Sequence, residues 1–351
     1  MAGKAKSSAV RAAARVNALV RPRERGMLRS FHAFMLRWVM FRFLLPLGLY
    51  GLLVFPAAGA ASERADCLAL SGAWSQPAEG AAARQRLEQA MSCLLPARVL
   101  LVGEQHNAPE HQQLQLQLVE WLAVRGQLAA LALEMAAQGR DTRGLPRSAH
   151  EADVRAALAW NERAWPWENY GPAIMAAVRA GVPVAGANLP RERMQAAMRD
   201  EKLDQRLPAA QLQVQQGRIR QSHCGLLPEE QIAPMTRVQI ARDVSMAQVA
   251  ARLAGQAASG QTVVLVAGNG HTHRMLGVPR FLPAQLQARV LSARTAAAED
   301  AQPPQADPAE EDALDAVDAV WVTPALALRD HCADLRALRQ AGSSKPSGAA
   351  P

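Results

Sequence analysis

Six short apolar runs recur along the chain: Arg98–Gly103 (RVLLVG), Leu128–Glu134 (LAALALE), Val182–Ala187 (VPVAGA), Thr262–Ala267 (TVVLVA), Ala288–Ser292 (ARVLS) and Ala319–Thr323 (AVWVT). Each is almost continuously hydrophobic, which suits strands buried on both faces and predicts a largely parallel sheet. Between the first two, Asn107 is positioned as a helix cap and Glu110 follows three residues on. Leu114, Leu118, Trp121 and Leu122 then form one stripe that Gly126 ends. Strand and helix patterns alternate, so the predicted class is α/β, a largely parallel central sheet flanked by helices. From about residue 192 to 258 no strand pattern occurs, and the stretch reads as an all-helical insertion between the third and fourth strands. Its longest helix is expected over Pro228–Leu253.

These patterns predict a lead-in over residues 61–97, an α/β domain over 98–324 and a C-terminal helix over 325–341. Residues 295–318 (TAAAEDAQPPQADPAEEDALDAVD) are rich in Ala, Pro and acids and read as a solvated loop. The tail over 342–351 is expected to be disordered. Half the 351 residues are hydrophobic and 20% are charged, which excludes wholesale disorder. The formal charge of +8 suggests a nucleic-acid partner until its distribution is examined. Residues 1–60 hold Lys4, Lys6 and eight arginines against Glu24 alone, and without them 29 bases face 30 acids. The basicity belongs to the leader, and no nucleic-acid partner is expected.

That leader places a basic stretch before an apolar core, Phe41–Phe55 (FRFLLPLGLYGLLVF), and a small-residue run after Pro56. The order is that of a secretory signal, with cleavage expected after Ala60 and export to the periplasm or cell envelope. Met27 and Met35 are alternative starts for its long basic region. Cys67 follows Arg64-Ala65-Asp66, where a lipobox would need small and apolar residues, so a lipid anchor has no support and membrane contact is expected only through the leader. The four cysteines, 67, 93, 224 and 332, all lie beyond it, and an even count in an exported chain allows two disulfides. Pairing 67–93 and 224–332 is one of three connectivities.

Ligands in open α/β sheets collect beyond the carboxyl ends of the strands, and here those ends carry the polar residues the strands lack. The first runs into Gly103-Glu104-Gln105-His106, with His111 in the following helix. The second ends at Glu134, the third is followed by Asn188, and the fourth by Gly268-Asn269-Gly270-His271-Thr272-His273. Each has a plainer reading: Glu104 and Glu134 as helix caps, His106 bonded to a backbone carbonyl, His111 and His273 at the surface or behind the site. The glycines of 268–270 permit a tight turn that lets backbone approach a ligand. Tyr170 shares a helix face with Ile174 and Val178, as a core aromatic would. Met235, Gln239, Arg242 and Met246 share one face of the long helix, where a Gln and an Arg need partners or a pocket. No GxSxG elbow occurs, which disfavours a conventional serine hydrolase.

With these residues assembled, the chain resembles the ChaN-like family of bacterial haem-binding proteins within the TIKI/TraB/erythromycin-esterase-like superfamily. The matching stretches are VLLVGEQHNAPEHQQLQLQLVEWL, LALEM, WPWENYGPAIMAAVRAGVPVAGANLPRE, HCGLLPEEQIAPMTRVQIARDVSMA, VVLVAGNGHTHRMLGVP and VWVTP. The resemblance implies an α/β sheet with a helical insertion, export to the envelope, and association with haem or iron uptake, with haem and envelope transport components as partners. On that reading Tyr170 supplies a phenolate to ferric iron. Arg242, His106 or His271 meets the propionates or offers an axial nitrogen, and the methionine-lined helix, with Met246, covers the porphyrin. The superfamily also contains metal-dependent hydrolases. In that alternative Glu104, His106, Glu134 and His271 hold a divalent metal ion, or one carboxylate acts as general base on a bound water. A third reading makes the polar strand ends mere caps in a non-catalytic interaction module.

Overall fold

The computed structural model describes residues 80–296, 317–327 and 330–343. The leader, most of the acidic loop, Cys67 and residues 344–351 of the tail lie outside the described residues, while residues 342 and 343, expected in the tail, are helical. Six strands form one sheet: β1 (Val99–Glu104), β2 (Leu128–Ala137), β3 (Val184–Asn188), β4 (Thr262–Gly268), β5 (Ala288–Thr295) and β6 (Ala319–Thr323). Their spatial order is β3-β2-β4-β1-β5-β6, and every pair is parallel. Alternation along the strands divides the core. Leu100, Val102, Leu131, Leu133, Val264 and Val266 face one side, and Val99, Leu101, Ala130, Ala132, Val263 and Leu265 face the other. Because both faces are covered, no polar alternation survives in these strands.

On the first face lie α1 (Gly80–Leu94), α2 (Pro109–Val124) and α4 (Trp167–Arg179), with the short α3 (Glu151–Ala157) preceding α4. The other face is covered by a long helix that follows α5 (Met194–Arg199), α6 (Ala209–Ser222) and three 3-10 turns. This helix, α7 (Ile232–Gln256), presses Met246, Ala247, Val249, Ala250 and Leu253 onto the sheet. Only helices and turns stand between β3 and β4, and α7 among them is the crossover that a parallel pair requires. After β4 come two single-turn helices, α8 (Asn269–Thr272) and α9 (Val278–Phe281), and the described chain closes with α10 (His331–Ser343). No helix among the described residues is long and apolar enough to cross a membrane.

Several local expectations are corrected. Asn107 does not cap α2: Ala108 takes that position without a side-chain bond, because Pro109 opens the helix and holds its predecessor extended. The long helix begins at Ile232, since Pro228 leads into a separate 3-10 turn over Glu229–Gln231. β3 starts at Val184 rather than Val182, after Pro183, whose nitrogen has no proton to give the ladder. Cys224 and Cys332 form a disulfide with Cα atoms 5.6 Å apart, joining the loop after α6 to α10. Cys93 is also disulfide-bonded.

Close packing explains one invariant demand of the sheet. A Cβ on Gly186 would lie 2.2 Å from the backbone oxygen of Ala137, so only glycine lets β3 pass the irregular end of β2.

Candidate functional site

Three strands that are far apart in sequence end side by side, in the order β2-β4-β1. Glu134 lies toward the end of β2, Gly268 ends β4 and Glu104 ends β1, with Glu104 paired in register with Gly268. The middle strand therefore offers no side chain where its neighbours offer carboxylates. His106 occupies that gap. A Cβ on Gly268 would stand 2.9 Å from its Nε2 and 3.6 Å from Glu134 Oε2.

Glu104 is buried and fully engaged. Its Oε1 accepts the Tyr170 hydroxyl at 2.7 Å and meets His106 Nδ1 at 2.7 Å. Its Oε2 accepts the Gln112 amide at 2.8 Å and the Gln115 amide, two side chains three residues apart on α2. A carboxylate with four such partners has no lone pair left for a metal. Its contact with His106 makes Nδ1–H the donor and leaves Nε2 as the nitrogen turned toward Gly268 and Glu134.

The second half of the site is built around His271. Its Nδ1 meets Asp243 Oδ1 at 2.6 Å, and its Nε2 stands 3.3 Å from Glu134 Oε1. Gln239, one turn before Asp243 on α7, adds its amide at 3.1 Å from Nδ1. Glu134 also accepts the backbone N–H of Gly268 at 2.8 Å, and its own carbonyl takes the Asn188 amide at 2.9 Å. His106 Nε2 lies 3.9 Å from Glu134 Oε2 and joins the two halves.

Burial alone would keep His271 neutral, but the charge of Glu134 and then of Asp243 overrides it and pushes the imidazolium up to about 10. Burial would likewise raise Glu134; the facing His271 charge outweighs it and holds the carboxyl well below its usual range. One imidazolium does not compensate two buried carboxylates equally. Asp243 stays raised, at about 6, because burial exceeds what His271 returns to it. His106, despite burial, is also raised, by its bond to Glu104 and the charge of Glu134.

Exposure separates these groups. The His106 side chain is 41% exposed, against 0% for Glu104, 4% for Glu134 and 7% for His271. Trp165 stands edge-on to His106 with ring centroids 4.8 Å apart, and perpendicular to Tyr170 at 5.9 Å.

A family model described as haem-binding uptake, Tiki superfamily, ChaN matches residues 90–282. The chain belongs to this family. Among solved structures, one of cofacial heme binding to ChaN of Campylobacter jejuni is similar at 20% identity and a TM-score of 0.48, covering 68% of this chain and 90% of that one. The type III effector HopBA1 is similar at 14% identity and a TM-score of 0.40, covering 69% and 94%. No curated protein matches.

In this ChaN-family chain, Glu104, His106, Glu134, Tyr170 and His271 form one contiguous network, as convergence of the strand ends requires. Tyr170 is buried, its hydroxyl is donated to Glu104, and burial followed by the Glu104 charge pushes its phenol far above its ordinary range. Met246 is fully buried in the apolar layer between α7 and the sheet. His111 is not at the surface either: it is buried, accepts the Gln105 N–H at 2.9 Å and meets Thr323 Oγ1 at 3.1 Å, tying the β1–α2 turn to β6. His273 is buried as well. Among the described residues no group of three or more His, Cys, Asp or Glu side chains is spaced to hold a metal ion.

Asp243 escaped sequence reading. Its signal was its place on the stripe of the long helix, four residues after Gln239, where an acid has no reason to be unless something basic faces it. Gln112 and Gln115 carried no such signal, because glutamines on a helix usually face water.

Proposed function

We propose that this protein is an exported haem-binding protein that serves haem or iron uptake in the bacterial cell envelope. The observation that carries the reading is His106. It is the one member of the cluster with substantial exposure, its Nδ1 is held by the buried Glu104, and its Nε2, 3.9 Å from Glu134 Oε2, makes no hydrogen bond among the described residues. A carboxylate behind a histidine fixes the tautomer and raises the basicity of the other nitrogen, the arrangement found behind metal-ligating imidazoles. The donor set fits haem: an imidazole for the iron, the Trp165 ring beside it for the porphyrin, and Arg242 on α7 for an anionic edge. Haem, when bound, supplies an iron that accepts an axial nitrogen.

The remaining residues serve that nitrogen. Gln112, Gln115 and Tyr170 hold Glu104 in place, so the His106 ring has one preferred orientation. Glu134, paired with His271, stands 3.9 Å from Nε2 on the inner side of the ring. Export is supported by the leader sequence and by the Cys224–Cys332 disulfide, which persists only in an oxidising compartment in most organisms.

The test is absorbance. Mature protein at micromolar concentration titrated with hemin is expected to develop a saturable Soret shift; no hemin-dependent change overturns the reading. Export has its own check. N-terminal sequencing of protein recovered from the envelope fraction should begin near Ala61, and an intact leader on protein confined to the cytoplasm contradicts it.

A further inference from the structure

On a surface helix the outward stripe is normally polar, since apolar side chains left in water forgo what burial would give them. The carboxyl-terminal halves of α2 and α4 break that pattern. Leu116, Ala123 and Val124 of the first helix and Pro172, Ala176 and Ala180 of the second line one open groove of about 660 Å³. Val124 is 86% exposed, more than any other large apolar side chain among the described residues, while Leu116, Ala123 and Ala176 rest on the core beneath. Four of these six residues are alanine or proline, small enough to let another helix approach closely. Both helices end where β2 and β3 begin, so the groove lies toward the amino ends of the strands, away from His106. Its rim is charged. Arg179 stands in the last turn of α4, and the Arg147 guanidinium lies over Gly181 at the same helix end, where an added Cβ would be 2.5 Å from its Nε. Both arginines are exposed, and neither makes a hydrogen bond or ion pair among the described residues. Glu120, also exposed, sits one turn before Val124 on the α2 side.

We propose that this groove takes an amphipathic helix of a partner protein, antiparallel to α2 and α4 and acidic in its first turn. α2 and α4 run in the same direction, since each is the crossover between parallel strands on one face of the sheet. An antiparallel partner brings the positive end of its dipole to their negative ends, and its first-turn acids to Arg147 and Arg179. The stripe from Leu116 to Val124 is about 12 Å long at about 1.5 Å per residue, roughly two turns, so apolar anchors at i, i+4 and i+7 fill it. An acyl chain suits the groove less well. Lying in an open groove it leaves much of its surface in water, and it has no cation for Glu120, whereas a helix can place a lysine there.

The probe is a stapled helix of about 14 residues, because free helices of that length are marginal in water. It carries leucines at i, i+4 and i+7 and a pair of glutamates in its first turn. Mature protein is expected to bind it saturably, and more weakly as salt rises. Arg147→Glu/Arg179→Glu should weaken binding by about tenfold or more, and a peptide with lysines in place of the glutamates should recover it. Val124→Lys should weaken the first peptide as well. All three side chains are exposed, so both variants should unfold at the urea concentration of wild type. No binding by wild type, or binding that ignores the charge reversal, overturns the proposal. Laurate that displaces the peptide and is itself lost in Val124→Lys overturns the helix assignment in favour of an anionic lipid. Self-association of wild type in sedimentation that Val124→Lys abolishes gives the groove to a second copy of this chain and overturns the partner.

Discussion

His271→Ala is expected to destabilise the fold by about 3–5 kcal/mol, the cost of leaving buried charge without its partner. His271 stands between Glu134 and Asp243, both buried, at 3.3 and 2.6 Å. Deleting the imidazolium leaves two carboxylates facing each other in a site closed to water. Neutralising one of them should recover part of the loss, so His271→Ala/Asp243→Asn is expected to be more stable than His271→Ala alone. The pH dependence has a defined sign. The folded-state pKa of His271 is raised from 6.5 to about 10, so its contribution is fully present below 6.5 and is lost as pH rises through 10. Wild type should therefore weaken across that alkaline window, and His271→Ala should lose this part of the slope. Urea unfolding of the two variants and wild type, followed from neutral to alkaline pH, measures all of this. A loss below about 1 kcal/mol at neutral pH would mean that the cluster is solvated and the charge argument is wrong.

The second large effect concerns ligand rather than fold. His106→Ala should weaken hemin binding by more than the 10–100-fold that removal of an outer-shell partner costs a metal site. Its stability should change little, because the ring is exposed on one side. Glu104→Gln removes the carboxylate behind that imidazole and should fall within the 10–100-fold range, with an altered Soret maximum as the sign that the nitrogen has lost basicity. Tyr170→Phe makes the opposite separation. It deletes a hydroxyl that only supports Glu104, so it should lower stability by about 1.5–3 kcal/mol while leaving the Soret maximum in place. A spectrum that responds to Tyr170→Phe and ignores His106→Ala would reverse the assignment of the two residues.

Much of the architecture was legible because parallel strands buried on both faces have no polar alternation to confuse the pattern. All six runs are strands, and their ends fall within a few residues of the observed ones. The errors cluster at prolines. Pro109, Pro183 and Pro228 each moved an element boundary, since a proline's missing proton and its effect on the preceding residue outweigh weaker signals such as Asn107.

The site divides along a different line. Local patterning settled which polar residues stand at the carboxyl ends of the strands, because a buried run must stop where its first charged residue can no longer be hidden. It had no means of ranking them. The strand order alone puts β4 between β1 and β2, and only then does Gly268 become the gap that admits His106 between two carboxylates. Packing of α4 and α7 onto opposite faces turned Tyr170 into a buried donor, Met246 into core and Asp243 into the partner of His271. Burial and the distance between charges are properties of the assembled chain, and those two quantities separate the residues that hold the site together from the one left open to solvent.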